Sequence, residues 1–195
     1  MSASNPFALT NYTVRRKIFN FWHRKFHIYG PDEQLVFYTE MKAFKLKEDI
    51  RIYSDENKSK ELLVIKARKI LDLSSAYDVY DAASNVKVGA LKRQGLASTL
   101  VMDTWDILNA QDQPIGKIME DSWILGIIRR YFIKIIPQTY NVTIGDRQII
   151  QFKQNFNPFL LKLNLDFSQD QAQALDRRLG IAAAVLLCAI EGRQG

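Results

Sequence analysis

Along most of this chain apolar and polar positions alternate with the two-residue period of a half-buried strand, and near residue 176 the alternation stops. Tyr12, Val14 and Ile18 are separated by polar or basic residues, and Leu35-Val36-Phe37-Tyr38 runs on toward Lys45. Ile50-Arg51-Ile52-Tyr53 and the stretch from Leu160 to Phe167 alternate throughout. Gly30-Pro31-Asp32-Glu33, Ser54-Asp55-Glu56-Asn57 and Asn155-Phe156-Asn157-Pro158 punctuate the chain as turns. Short β-branched and aromatic runs with such regular punctuation predict an all-β sandwich or barrel. Beyond Arg178 the pattern changes: from Leu179 to Ile190 every residue is apolar or small. A helix with no polar face is either buried all round or spans a bilayer. A span needs about 20 apolar residues, whereas this run covers only about 18 Å at the helical rise per residue. Gly180, Ala182, Ala183, Ala184 and Ala189 allow neighbouring backbone to approach closely. The expectation is a short helix sheathed on all sides, with the strands as its sheath.

The strands also repeat. Tyr77-Asp78-Val79, a polar turn and Val88-Gly89-Ala90-Leu91 are echoed by Trp105-Asp106-Ile107, a polar turn and Ile115-Gly116-Lys117-Ile118. Each copy is a hairpin whose second strand carries a glycine, the residue for a bulge or a close backbone approach. Phe26 to Phe37 and Tyr140 to Phe152 are looser copies. Hairpins repeated around a ring leave no open edge, which favours a closed barrel. Between the second repeat and the last strands, Asp121 or Ser122 can cap a helix that Pro137 stops. On it Gly126, Arg129, Arg130 and Lys134 form a narrow stripe in otherwise apolar surroundings. Residues 1–8 read as a flexible tail and 9–195 as a single domain.

Composition narrows the function classes. The chain has 195 residues, 47% of them hydrophobic, with a net charge of +6 and a pI of about 9.4. That balance favours anionic partners: phospholipid head groups, nucleic acid or an acidic protein. The single cysteine, Cys188, lies in the apolar helix, cannot form an intramolecular disulfide and fits a reducing compartment. The N-terminus lacks the apolar core of a signal peptide, and no lipidation box is seen, so a cytoplasmic location is expected. No phosphate-binding glycine loop or nucleophile elbow occurs. His23 and His27 have no third ligand in view, and no Cys pair or HExxH accompanies them. The chain therefore reads as a non-enzyme without metal or cofactor. Without an oligonucleotide-binding signature, nucleic acid is a disfavoured partner.

Candidate anion-binding residues are Arg129, Arg130 and Lys134 on the Ser122–Ile136 helix, Lys92 and Arg93, and Arg177 and Arg178. The last two open the buried helix at its positive dipole end. Their placement is unfavourable by a few tenths of a kcal/mol or so, which Asp176 or an external anion would offset. Arg15-Arg16-Lys17, Lys42/Lys45/Lys47 and Lys66/Arg68/Lys69 read as solvated outer faces. The aromatics Phe19, Phe21, Trp22 and Phe26 with Arg24 and Lys25 read as ordinary strand residues.

The hairpins YDVYDAASNVKVGALKR and WDILNAQDQPIGKI, the segment DSWILGIIRRYF and the C-terminal LKLNLDFSQDQAQALDRRLGIAAAVLLCAIE resemble the tubby C-terminal-like superfamily. The nearest branches are the LURP-one-related and phospholipid-scramblase-like proteins, and the likeness covers about residues 10–193. It implies a mainly β fold: a closed antiparallel barrel of about twelve strands around a C-terminal hydrophobic helix at about 170–191, with a short extra helix near 122–136. Tubby proteins bind phosphoinositides through basic side chains on the barrel. Scramblases carry a calcium-linked acidic segment before their last helix. Here the corresponding stretch from Phe152 to Phe159 has no carboxylate, and Asp166, Asp170 and Asp176 are widely spaced. Calcium takes about six to eight oxygen ligands, so no calcium site is expected. The functional expectation is a module for anionic phospholipid head groups or a membrane-associated partner, peripheral at the inner face of the membrane. The alternatives are a scramblase-like lipid-moving protein and a ligand-free interaction scaffold.

Overall fold

The computed structural model describes residues 5–17, 23–42, 49–68, 76–94, 104–120, 138–155 and 160–191. Twelve strands form one closed antiparallel barrel: β1 (Asn11–Lys17), β2 (His23–Tyr29), β3 (Leu35–Lys42), β4 (Ile50–Tyr53), β5 (Glu61–Ala67), β6 (Ala76–Asp81), β7 (Lys87–Arg93), β8 (Thr104–Leu108), β9 (Pro114–Glu120), β10 (Thr139–Ile144), β11 (Arg147–Asn155) and β12 (Leu160–Asp166). Each strand pairs with its sequence neighbours, and β1 closes the ring on β12 from Asn11↔Asp166 to Lys17↔Leu160. The predicted alternation sets which residues point inward. Tyr12 and Val14 on β1, Phe26 and Ile28 on β2, and Leu163 and Leu165 on β12 are buried, while Thr13, His27 and Asn164 between them face outward.

A ring of twelve strands is too wide for its own side chains to fill. The helix α1 (Arg177–Glu191) occupies it. Every residue from Leu179 to Ile190 is buried, which is why that run carries no polar position. The resemblance implies a helix from about 170; the chain instead turns through 168–176 before the helix begins at Arg177. Asp170 N–H donates to the Phe167 carbonyl, Gln173 N–H donates to the Asp170 carbonyl, and Gln173 takes a positive φ. Asp176 then caps α1: its Oδ1 accepts the Arg178 N–H at 2.9 Å and its carbonyl accepts that of Leu179. At the other end, buried Arg24 donates to the Ala189 carbonyl at 2.7 Å, satisfying one of the orphan acceptors of the last turn.

The two ends of the barrel differ. Where α1 enters, five hairpins turn tightly, and each has one residue at positive φ: Glu33, Lys58, Asn85, Asp112 and Gly145. Each of these hairpins also shifts register near its turn, the geometry of a turn followed by a left-handed bulge residue. The repeat noticed in the sequence is therefore a structural one. Its two glycines are needed for closeness. A Cβ on Gly89 would lie 2.4 Å from the Leu108 carbonyl and 2.9 Å from Leu179 Cδ1; one on Gly116 would lie 2.3 Å from the Thr143 carbonyl. The connections at the far end, including the expected helix at 122–136 and the aromatics Phe19, Phe21 and Trp22, lie outside the described residues. At the N-terminus, Pro6–Ala8 forms a 3-10 turn whose Phe7 ring packs on Phe37 at 4.8 Å, and the Tyr12 hydroxyl donates to the Pro6 carbonyl. This part of the expected tail is held against the barrel.

Candidate functional site

The closed ring leaves its outer wall and its two ends for a partner, so the disposition of charge there decides what the barrel can hold. Around β3–β7 cations meet carboxylates. Lys58 sits 3.5 Å from Glu40 and Arg51 2.7 Å from Glu61. Arg68 donates to Asp78 through Nε and Nη2 and also pairs with Asp112; Lys87 reaches Asp78 at 2.9 Å and Asp112 at 2.7 Å. Burial pushes the Asp78 carboxyl up, but the hydrogen bonds from Arg68 and Lys87 outweigh it and leave it below the usual range. Lys60, at the turn before β5, and Lys66, over the Tyr80 ring at 4.9 Å, make no carboxylate contact among the described residues.

The helix-entry end is also internally neutralised. Arg177 Nη1 lies 2.7 Å from Oδ2 of Asp170, a carboxylate whose side chain is 1% exposed, and its guanidinium stacks over Phe167 at 4.4 Å. Asp170 also accepts the Ala174 and Leu175 N–H groups. Arg178 pairs with Asp176 at 2.6 Å and with Asp81 at 3.1 Å. Three carboxylates thus offset two cations at the positive end of the helix dipole, and the hydrogen bond to Asp176 raises the Arg178 pKa above its ordinary value.

Around β7–β12 the picture differs. Lys92, Lys117, Arg147, Lys153 and Lys162 stand on the outer wall or its turns with no ion-pair partner among the described residues. The acids of this wall are Asp106, Asp146 and Asp166. Asp106 lies between Lys92 and Lys117 in the strand register but accepts its hydrogen bond from Gln94. Lys153 borders a polar depression of about 350 Å³ across β11, β12 and β1, lined also by Asn11, Thr13, Gln151, Asn164 and Asp166. In it the Thr13 hydroxyl donates to Asn164 Oδ1 at 3.1 Å.

These positions sort the residues singled out in the sequence. Lys92 belongs to the unpaired wall. Arg93, one residue on, opposes Trp105 in the register, and Trp105 is buried in the barrel. Arg177 and Arg178 lie at the opposite end of the barrel from Lys92 and are engaged by carboxylates, with Asp176 in the predicted compensating role. Arg129, Arg130 and Lys134 lie outside the described residues, as do Lys45, Lys47 and Lys69 and the side chains of Lys17, His23 and Lys42. His27 meets Glu56 at 3.2 Å, and among the described residues no group of three His, Cys, Asp or Glu is placed to hold a metal. Lys117, Arg147, Lys153 and Lys162 escaped the sequence reading because none has a basic neighbour next to it in the sequence.

The LURP-one-related family model matches residues 35–188. The chain belongs to the LURP-one-related family. No curated protein and no solved structure matches it. The matched span runs from β3 to within α1, so the unpaired wall, the paired wall and the central helix all lie within the LURP-one-related domain. No helix of the described residues is long and apolar enough to cross a membrane.

Proposed function

We propose that this LURP-one-related barrel is a non-enzymatic module whose β7–β12 wall rests against the phosphates of an anionic membrane surface. The observation that supports the reading is that five cations on the β7–β12 half of the ring, Lys92, Lys117, Arg147, Lys153 and Lys162, have no ion-pair partner among the described residues, against Lys60 and Lys66 around β3–β7. Each cation near an anionic leaflet contributes about 1 kcal/mol. Asp106, Asp146 and Asp166 subtract from that sum, so the attachment is reversible and salt-sensitive. The depression beside Lys153 offers amide groups to a head group whose phosphate the lysine meets.

Flotation with phosphatidylcholine vesicles, with and without phosphatidylserine, tests this. The wild type should float only with the anionic vesicles and detach as salt rises, since screening acts within about 8 Å at physiological ionic strength. Lys117→Glu/Lys153→Glu/Lys162→Glu should fold normally and stay at the bottom of the gradient. Absence of flotation at low salt, or unchanged flotation of the triple variant, would sink the proposal and favour a protein-interaction scaffold.

A further inference from the structure

A second cationic feature lies inside the ring. Arg16 and Arg24 sit on the inward faces of β1 and β2, each one residue from the strand terminus at the far end, beside the last turn of α1. Their residues are 7% and 9% exposed. Arg24 donates to the Ala189 carbonyl at 2.7 Å. Arg16 has no such acceptor among the described residues: its buried Nε is without a hydrogen-bond partner, and its guanidinium lies over the Phe26 ring at 5.8 Å. Cys188 is its neighbour on α1, but burial pushes that thiol up to about 12, so it stays neutral and supplies no counter-charge. The negative end of the helix dipole favours both cations without giving Arg16 a hydrogen bond. A desolvated guanidinium held this way is incompletely compensated.

We propose that Arg16 and Arg24 form an anion site at the far mouth of the barrel that takes a phosphate group. Guanidiniums on the inward faces of adjacent strands at the same end of the ring suit a tetrahedral anion, whose several oxygens can accept from Arg16 and from whatever donors Arg24 has beyond its bond to Ala189. The site is inside the ring and independent of the outer wall, so either can fail alone.

Thermal unfolding of the full chain in inorganic phosphate, against sodium chloride at matched ionic strength, tests it. The wild type should gain about 3–5 °C at phosphate tenfold above its dissociation constant and saturate as a single site. Arg16→Met keeps the volume and removes the charge; it should fold, equal or exceed the wild type in chloride, and show no phosphate shift. Arg16→Lys keeps the charge and loses the fork, and should bind at least tenfold more weakly; it carries the test if the methionine variant does not fold. Lys153→Glu/Lys162→Glu should keep the full shift. Titrating glycerol 3-phosphate and short-chain phosphatidic acid separates the sources: tenfold tighter, Arg16-dependent binding of the lipid assigns a lipid head group, and equal affinities assign a free phosphate ester. No shift in the wild type, or the same shift in Arg16→Met, overturns the proposal.

Discussion

Gly180→Ala should destabilise this protein, although the same change inside a helix ordinarily stabilises it by about 1 kcal/mol. A Cβ on Gly180 would lie 2.6 Å from Phe167 Cε1 and 2.7 Å from Cζ. Side-chain ends can often swing away from such a clash, but this ring cannot. Phe167 is 1% exposed, Tyr12 meets it edge-on at 5.8 Å, Phe152 lies at 6.4 Å, and the Arg177 guanidinium covers it at 4.4 Å. Displacing the ring would disturb β1, β11 and the Arg177–Asp170 pair together. Overpacking of an enclosed site costs about 1–3 kcal/mol. At the upper part of that range it exceeds the propensity gain, for a net loss of about 1–2 kcal/mol. For a chain of this size that is a fall of roughly 2–8 °C in Tm. Urea unfolding followed by circular dichroism measures it. Phe167→Leu supplies the cross-check: in the Gly180→Ala background the smaller side chain makes room, so the two losses should sum to more than the double variant shows. A Gly180→Ala protein as stable as the wild type, or losses that simply add, would refute the account of how the helix is seated.

Other perturbations probe the remaining contacts. Asp170→Asn strands the Arg177 charge in a nearly closed site and weakens the turn that leads into α1; it should cost about 3–5 kcal/mol in urea unfolding. Ala183→Arg places an unpaired charge at a position 3% exposed, and its yield of folded soluble protein, measured by gel filtration, should fall to nothing. For Asp78 the folded carboxyl titrates below its unfolded value, so its contribution is present above about pH 4 and is lost as pH falls through the depressed folded value. Asp78→Asn should therefore be less stable than wild type at pH 7 and approach it at pH 3, and an equal gap at both would contradict the pairing with Arg68 and Lys87.

Some of this structure is legible in the amino-acid order because it is local. The helix announces itself because a rod surrounded by sheet needs no polar face, and Leu179 to Ile190 has none. The glycines at 89 and 116 stand out because a strand loses stability by carrying one, so close approach is the natural reason, and the carbonyls of Leu108 and Thr143 provide it. Charge is different, because ring closure chooses its partners. Arg178 finds Asp81 across 97 positions and Arg68 finds Asp112 across 44. Read along the chain, Arg177 and Arg178 look available to an outside anion; folded, they are engaged by Asp170, Asp176 and Asp81. Lys117, Lys153 and Lys162 look ordinary in sequence and become distinctive only in the fold, where none of them forms an ion pair among the described residues. Arg16 reads as one cation of an Arg15-Arg16-Lys17 surface run, yet strand alternation turns it inward while Arg15 pairs with Glu33 at 2.5 Å outside.

The topology limits the ways this barrel can recognise anything. Because β1 pairs with β12, the ring has no open strand edge onto which an extended peptide could add by backbone hydrogen bonding. Because α1 fills the interior, an apolar ligand cannot occupy the lumen as it does in barrels that lack a central helix. Side chains on the wall and at the two mouths remain. At the mouth where α1 enters, Arg177 and Arg178 meet Asp170, Asp176 and Asp81, and half the wall is paired in the same manner. Among the described residues, cations without an ion-pair partner stand on the β7–β12 wall, at Lys60 and Lys66, and inside the ring at Arg16. A charge confined to part of a surface does more than its sum, since it orients the molecule before contact. The two proposals share this logic and differ in depth: the outer wall would steer and hold, and the desolvated guanidinium at the far mouth would discriminate.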